Sequence, residues 1–135
     1  MSGLVYSQLA LAQSDKAKVE VAIQNYVDAF YQADTAKVRL SVATDVVKFG
    51  YAIPKGKSEY QRFPDSFQEM MSSIIKYGKY PKQTPAVIEV FDLLDQTASA
   101  KVTAGWGIDY VLLARQNGKW MITHVLWQTI PAQRK

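Results

Sequence analysis

The sequence lacks cysteine and holds a single histidine, His124, among its 135 residues. Disulfides, thiolate metal sites and cysteine nucleophiles are therefore excluded, and a lone histidine with no acidic motif beside it does not make a metal site. Glycine-rich phosphate loops, nucleophile elbows and metal-binding helix motifs are missing as well. We expect neither a metal nor a cofactor, and we interpret His124 as an ordinary sheet or subunit-interface residue.

The chain also lacks a long apolar run and a concentrated charge of one sign. No run reaches the roughly 20 apolar residues that a membrane span needs. The net charge of +4 comes from scattered lysines and arginines, which disfavours nucleic-acid binding because that function needs a basic stripe with aromatics between. The basic residues of the middle third are interpreted as a solvated loop region: Lys55, Lys57, Arg62, Lys76, Lys79 and Lys82.

The N-terminal residues leave two alternatives open. Ala10-Leu11-Ala12 matches the small-x-small pattern before a signal-peptidase cut, but no basic segment precedes it. Residues 1–13 are thus either an N-terminal arm or a signal-peptide remnant, and the compartment is either cytoplasmic or periplasmic. The length and the apolar share of 48% predict one domain, over residues 14–131, with a C-terminal tail at 132–135.

Helical periodicity marks the first half of the chain. Ser14 has the character of an N-cap, and apolar residues follow it at helical spacing. Asp34 can cap a short second helix over residues 35–43. Ser66 opens a third helix with capping-box spacing, and Gly78 ends it.

The apolar period changes to two in the last part of the chain. A first strand is predicted at 46–51, and four consecutive strands follow later, at 86–95, 97–105, 106–116 and 119–130. Asn117-Gly118 joins the last two and is a strong hairpin signal. Helices that precede a long antiparallel sheet indicate an α+β fold. We expect a cone-shaped, curved antiparallel sheet wrapped around the long N-terminal helix, with two further helices and a small-molecule pocket at the mouth of the cone.

Several short segments carry a family resemblance. They are Ile23–Phe30, the Ala33-Asp34 break, Asp45–Val47 and the stretch from Ile108 through Trp120. Over most of its length the chain resembles the nuclear-transport-factor-two-like superfamily. Two branches stand out, the bacterial group called putative lumazine-binding proteins and the ketosteroid isomerases, and the first is the closer match.

The isomerase resemblance implies a catalytic pair of hydrogen-bond donors at Tyr26 and Asp109. In those enzymes a helix tyrosine and a strand aspartic acid, kept protonated by its apolar surroundings, hold an enolate oxygen. Their general base is a carboxylate on the first strand, and the corresponding residue here is Gly50, so the resemblance supplies no base. The other carboxylates that could serve, if they face inward, are Asp28, Glu89 and Asp92.

Asp109 has more than one interpretation. It shares a strand face with Val111 and Leu113, so it is either a neutral acid that donates a hydrogen bond to a ligand or a structural partner of Tyr26 or of a loop amide. Lys48, if its side chain points into the cavity, could instead keep Asp109 ionised. The residues expected to line the ligand pocket are Phe30, Phe49, Val111, Leu113 and Trp127.

These observations predict a domain that binds a small apolar or aromatic ligand in an apolar pocket, with acid–base groups that would suit isomerase or dehydratase chemistry. The alternative is a non-catalytic dimerisation or protein-interaction module whose cone is filled by its own side chains. We also expect a homodimer, because four strands cannot hide both faces of a sheet against three helices in so short a chain. The predicted contact row on the outer face is Ile122, His124 and Leu126.

Overall fold

A computed structural model describes the backbone of residues 2–131 and the side chains of residues 14–131. The helices are α1 (Ser2–Gln32), α2 (Thr35–Ser41) and α3 (Phe67–Tyr77). The strands are β1 (Val42–Ala52), β2 (Gln61–Pro64), β3 (Val87–Leu93), β4 (Thr97–Ala104), β5 (Gly107–Gln116) and β6 (Lys119–Thr129). The side chains of the predicted arm and the predicted tail at 132–135 lie outside the described residues. None of the described helices combines the length and the apolar character that a membrane crossing requires.

Helix α1 begins earlier than its N-cap signal predicts. The helix is continuous from Ser2, so Ser14 is an interior residue and not a cap. The segment before it is rich in alanine, leucine and glutamine, and these residues have high helix propensity, which outweighs a local capping signal.

The starts of α2 and α3 and the end of α3 follow the predicted caps, whereas α2 ends at Ser41 and not at residue 43, because β1 already begins at Val42. The Asp34 side chain accepts a hydrogen bond from the Ala36 amide at 3.0 Å, and the Ser66 hydroxyl accepts one from the Glu69 amide at 3.1 Å. Gly78 ends α3 with a φ of 70°, a conformation that favours glycine. These caps confirm the predicted starts of α2 and α3.

The six strands form one curved, unclosed sheet in the order β2-β1-β6-β5-β4-β3. Strands β3 to β6 are the predicted antiparallel meander, and their Asn117-Gly118 turn has two positive φ values, 50° and 76°. However, β1 pairs with β6 in parallel, so the sheet is mixed and not antiparallel throughout. Alternation of apolar residues identifies the faces of a strand but not its direction, and the long connection between β1 and β6 permits a parallel pair.

A β-bulge at Thr123 corrects the predicted outer row. Leu113 pairs with Ile122 and Leu112 with His124, so Thr123 is an extra residue on β6. An extra residue reverses the side-chain alternation beyond it. Ile122 is consequently buried in the core, while His124 and Leu126 remain exposed on the outer face.

The core lies between the concave face of the sheet and the helices. It combines Val19, Ile23 and Val27 of α1 and Met70 and Ile74 of α3 with the inward residues of β4, β5 and β6. The outer face carries exposed apolar side chains: Val47, Tyr51, Phe91, Tyr110, Leu112 and Leu126. The homodimer stays a prediction for this face. The six basic residues of the middle third are all exposed, as expected, but Arg62 lies on β2 and Lys76 on α3 and not in loops.

Candidate functional site

A cavity of about 220 Å³ opens between α1, the inner side of the sheet and the β4–β5 turn. Its lining consists of five aromatic side chains, Tyr26, Phe30, Tyr80, Trp106 and Trp127, and three ionisable ones, Lys48, Asp65 and Asp109. Tyr26, Phe30, Asp109 and Trp127, predicted from sequence as site residues, thus meet in one place.

Asp109 is the most deeply buried ionisable group of the cavity, with no exposed surface. Its Oδ1 accepts a hydrogen bond from the Trp106 indole N–H at 2.9 Å, whereas Oδ2 is buried without a hydrogen-bond partner among the described residues. Burial raises the pKa of Asp109, and the opposing effects of the Lys48 charge, the Trp106 hydrogen bond and the Tyr26 hydroxyl do not cancel the rise. The carboxyl is therefore shifted toward the neutral acid, whose proton belongs on the free Oδ2.

Tyr26 presents its ring to the same cavity from the inward face of α1. The ring contacts Phe30 edge-on at 5.4 Å and Trp106 at 6.3 Å between centroids. Burial raises the pKa of Tyr26 well above its usual value, and the neighbouring charge of Asp109 raises it further. The hydroxyl consequently stays protonated and can donate a hydrogen bond.

Lys48 points into the cavity, so the question of its strand register is settled by the structure. Its Nζ lies 3.3 Å from Asp65 Oδ2 and sits over the rings of Phe30 and Tyr26, 4.7 and 5.2 Å from their centroids. The ion pair is thus with Asp65 and not with Asp109. The Asp65 amide also donates to the Lys48 carbonyl at 3.0 Å, which ties the start of α3 to β1. Burial raises the pKa of Asp65 and the Lys48 charge opposes the rise.

Trp127 occupies the space beside Gly50. A Cβ at residue 50 would overlap the indole ring, so a carboxylate on the first strand at this position would displace Trp127. Trp127 is the cross-strand partner of Asp109, and its Nε1 is buried without a hydrogen-bond partner among the described residues. The Trp127 ring stacks on the ring of Phe63, with 6.3 Å between the ring centroids.

Trp106 is held in place by a bridged turn. The Gly105 amide donates to the Tyr31 hydroxyl at 2.8 Å, and that hydroxyl donates to the Thr84 carbonyl at 2.6 Å. The Trp106 ring packs edge-on against Phe30, Tyr31 and Tyr80, with centroids 5.5 to 5.7 Å apart. The donor to Asp109 is therefore fixed by neighbours on α1 and on the linker after α3.

The other predicted pocket residues lie elsewhere. Val111 and Leu113 share the inward face of β5 with Asp109, but they are buried in the core and do not line the cavity. Phe49 lies on the outer face, because it follows the inward Lys48, and the Arg62 guanidinium sits 4.3 Å from its ring centroid. The structure therefore gives these three residues no place in the cavity wall.

The three alternative carboxylates also lie away from the cavity. Asp28 pairs with Lys37 at 3.6 Å and Glu89 with Lys101 at 3.9 Å. Asp92 accepts a hydrogen bond from the amide of its neighbour Leu93. Within residues 14–131, His124 and the carboxylates form no cluster that could hold a metal ion.

Sequence reasoning missed three residues of the cavity. Asp65 directly precedes the Ser66 cap, Trp106 stands three residues before Asp109, and Tyr80 follows the end of α3. A pattern-based reading assigns such residues to turns. Only Trp106 carried a usable signal, because an indole N–H close in sequence to a buried acid is a natural partner for it.

A larger depression of about 640 Å³ lies along the sheet around Leu112 and His124. No buried polar atom without a partner lines it within the described residues. The smaller cavity is the better candidate because Asp109 Oδ2 and Trp127 Nε1 are buried in it without partners among the described residues, and size alone does not make a binding site.

The fold, a long helix packed across a curved, unclosed sheet, is that of the nuclear-transport-factor-two-like class. A protein of this class from Silicibacter pomeroyi DSS-3, of unknown function, has a TM-score of 0.70 at 14% identity, over 87% of this chain and 98% of that chain. A second such protein, from Shewanella baltica OS155 and also of unknown function, has a TM-score of 0.64 at 15% identity, over 88% of this chain and 96% of that chain. A "Putative Scytalone Dehydratase" from Novosphingobium aromaticivorans has a TM-score of 0.58 at 10% identity, over 88% of this chain and 86% of that chain.

At these identities the likeness establishes the fold. More particularly, the chain belongs to the family described as "Putative lumazine-binding", which matches residues 14–128. This match confirms the family resemblance and the branch to which the sequence was closer. Comparison with curated proteins gave no match.

Proposed function

We propose that this protein binds a small, flat, largely apolar molecule in the cavity, with a polar edge of the ligand directed at Asp109 and Trp127. The observation that carries the proposal is the pair of buried atoms Asp109 Oδ2 and Trp127 Nε1, on facing residues of β5 and β6, without partners among the described residues. Buried polar atoms are nearly always hydrogen-bonded, and leaving one unpaired costs about 1–3 kcal/mol. A ligand that supplies the missing partners recovers that free energy.

The dimensions of the cavity limit the ligand. About 220 Å³ lies below the range of roughly 300–1,000 Å³ that suits drug-sized molecules. Flat rings of Phe30, Trp106 and Trp127 favour a ligand that is itself planar, because stacked and edge-on aromatic contacts add to the gain from burial. One ring or two fused rings fit this description, and lumazine, the compound in the family's name, is a bicyclic heteroaromatic with carbonyl oxygens.

The alternative of a filled scaffold is less well supported. It requires Phe30 and Trp127 to close the cone, and a cavity of about 220 Å³ lies between these residues and the opposite wall. The polar atoms of Asp109 and Trp127 argue in the same direction, since a scaffold gains nothing from burying unpaired groups.

The three tryptophans provide a direct test of binding. Nitrogen-15 NMR spectra resolve one indole N–H signal for each, and titration with lumazine or 2-naphthol should move the Trp106 and Trp127 signals saturably. The Trp120 signal is the internal control, because its indole N–H contacts Asp15 at 3.3 Å, outside the cavity. Asp109→Leu should fold and lose the shifts. Unchanged signals for both ligands at millimolar concentration would contradict the proposal.

A second candidate function, acid–base catalysis of the isomerase or dehydratase type, is favoured by the presence of a second carboxylate, Asp65, in the cavity. Tyr26 and Asp109 would hold a ligand oxygen while Asp65 takes a proton from carbon. Exchange of deuterium from heavy water into the carbon next to the carbonyl of 2-tetralone, followed by NMR, tests this. Asp65→Asn should abolish the exchange, and a rate equal to that without protein would remove the candidate.

A further inference from the structure

Lys48 is a buried cation in a cavity wall that is otherwise aromatic, apart from Asp65 and Asp109. Its side chain is 7% exposed, and its ammonium lies against the faces of Phe30 and Tyr26. Lysine is almost never buried so deeply without a partner. Asp65 is its one ion-pair partner among the described residues, although an ammonium has three hydrogens to donate.

The partner of Lys48 is more exposed to solvent than Lys48 itself. The Asp65 side chain is 22% exposed and lines both the cavity and a surface groove beside α3. Water reduces the field of a charge that it can reach far more than that of a buried one. Inside the cavity, therefore, the positive charge of Lys48 is less screened than the negative charge of Asp65.

The remaining polar groups of the cavity are donors. The Trp127 indole has only an N–H to offer, and the Tyr26 hydroxyl is held in its protonated form. Asp109 uses Oδ1 as an acceptor for Trp106. Its Oδ2, which carries the proton of the neutral acid, is left to donate to a ligand. A ligand complementary to this set brings acceptor oxygens and negative charge.

We infer that the cavity selects planar aromatic acids, and that Lys48 determines this selectivity by sharing its ammonium between Asp65 and the oxyanion of the ligand. The inference rests on the proposed function, since it names the chemical class of ligand for the same cavity. A carboxylate on an aromatic ring is the simplest such group, because it presents two acceptor oxygens in the plane of the ring.

The test compares two ligands of the same shape, 2-naphthoate and 2-naphthamide, by isothermal titration calorimetry. Wild-type protein should bind the carboxylate about tenfold or more tightly than the amide, the amount that one favourable charge interaction of 1.4 kcal/mol provides. Lys48→Met, which keeps roughly the length of the side chain and removes its charge, should reduce the ratio to about one. Lys48→Arg should keep the preference.

Asp65→Asn is the second variant and does not depend on the folding of Lys48→Met. It removes the anion that competes for Lys48, so the ratio of the affinity for 2-naphthoate to that for 2-naphthamide should rise severalfold. If wild-type protein binds both compounds equally, or if Asp65→Asn leaves the ratio unchanged, the inference is overturned and the proposed function stands. If neither compound binds and lumazine and 2-naphthol also leave the indole signals unmoved, both fail.

Discussion

Gly50 and Trp127 are complementary, since the indole of one fills the space that a side chain on the other would need. This contact leaves no room for a side chain at position 50, so the cavity has the indole of Trp127 as its wall there. It also makes position 50 a sensitive probe of how tightly the cavity is packed.

Gly50→Ala should destabilise the protein by about 1–3 kcal/mol, the usual cost of forcing extra volume into a packed site. Urea denaturation measures the effect. The control is the same substitution in a Trp127→Leu background, where the smaller side chain leaves room, and the cost should fall to a fraction of its former value. Equal costs in the two backgrounds would show that the two residues are not coupled.

The raised pKa of Asp109 makes its contribution to stability depend on pH. A carboxyl whose pKa is higher in the folded state favours folding fully below its unfolded pKa of about 3.9, and that contribution is lost as the pH rises through the folded pKa. Asp109→Asn keeps an acceptor for Trp106 and has no charge. The free energy of unfolding of wild-type protein should therefore fall, relative to Asp109→Asn, as the pH increases from 4 to 8.

Carbon-detected NMR titration of the Asp109 carboxyl gives the pKa directly. Pairing with Lys48 predicts the opposite trend, with stability lost on acidification. An Asp109 pKa at or below the ordinary value would falsify the neutral-donor hypothesis. Asp65 also titrates with a raised pKa, but it is present in both proteins, so the comparison isolates Asp109.

The hydroxyl of Tyr31 should matter more than its ring. Tyr31→Phe removes the acceptor of the Gly105 amide and the donor to the Thr84 carbonyl, and leaving the buried Gly105 amide without a partner costs about 1–3 kcal/mol. Tyr80→Phe is the matched control, because the neighbouring Tyr80 ring packs on Trp106 without a side-chain hydrogen bond among those of residues 14–131. Chemical denaturation should separate the two variants, and similar losses would mean that the bridged turn contributes little.

The outer face of the sheet should form the interface of a homodimer. Leu112, Tyr110 and Leu126 are about half exposed there, and a contiguous exposed apolar patch is typical of an interaction surface. Leu112→Asp should convert a dimer to a monomer in multi-angle light scattering at micromolar concentration. Ile75→Asp, at an apolar residue of α3 that is 75% exposed, should leave the mass unchanged. A wild-type protein of monomer mass would exclude the interface.

The parts of the fold that sequence patterns predicted are those governed by local chemistry. Asp34 and Ser66 cap their helices through bonds to residues two and three positions away, and the Asn117-Gly118 turn needs only two residues that tolerate positive φ. The parallel pairing of β1 with β6 and the bulge at Thr123 depend instead on how distant segments meet. Neither feature can be recognised from the alternation of apolar residues before the strand register is known.

The candidate site divides in the same way. Tyr26 and Asp109 were accessible from the sequence because each stands on the apolar face of a regular element and matches a family pattern. Asp65 was not accessible from the sequence. It meets Lys48 only because the chain, after β2, lies beside β1 again. Phe49 was misplaced by one position of a strand, which is enough to move a side chain from the cavity to the outer face.

The pairing of β1 with β6 also sets the order in which the cavity can be assembled. Lys48 and Trp127 lie on strands separated by residues 53–118, so they meet only after a long loop has closed. Such closure is entropically costly, and contacts distant in sequence form late and slowly. During synthesis the hairpins of the meander can form as they emerge. The cavity wall beside Gly50 can form only after β6, which carries Trp127, has been made. A ligand therefore meets a finished domain and cannot guide the early steps of folding.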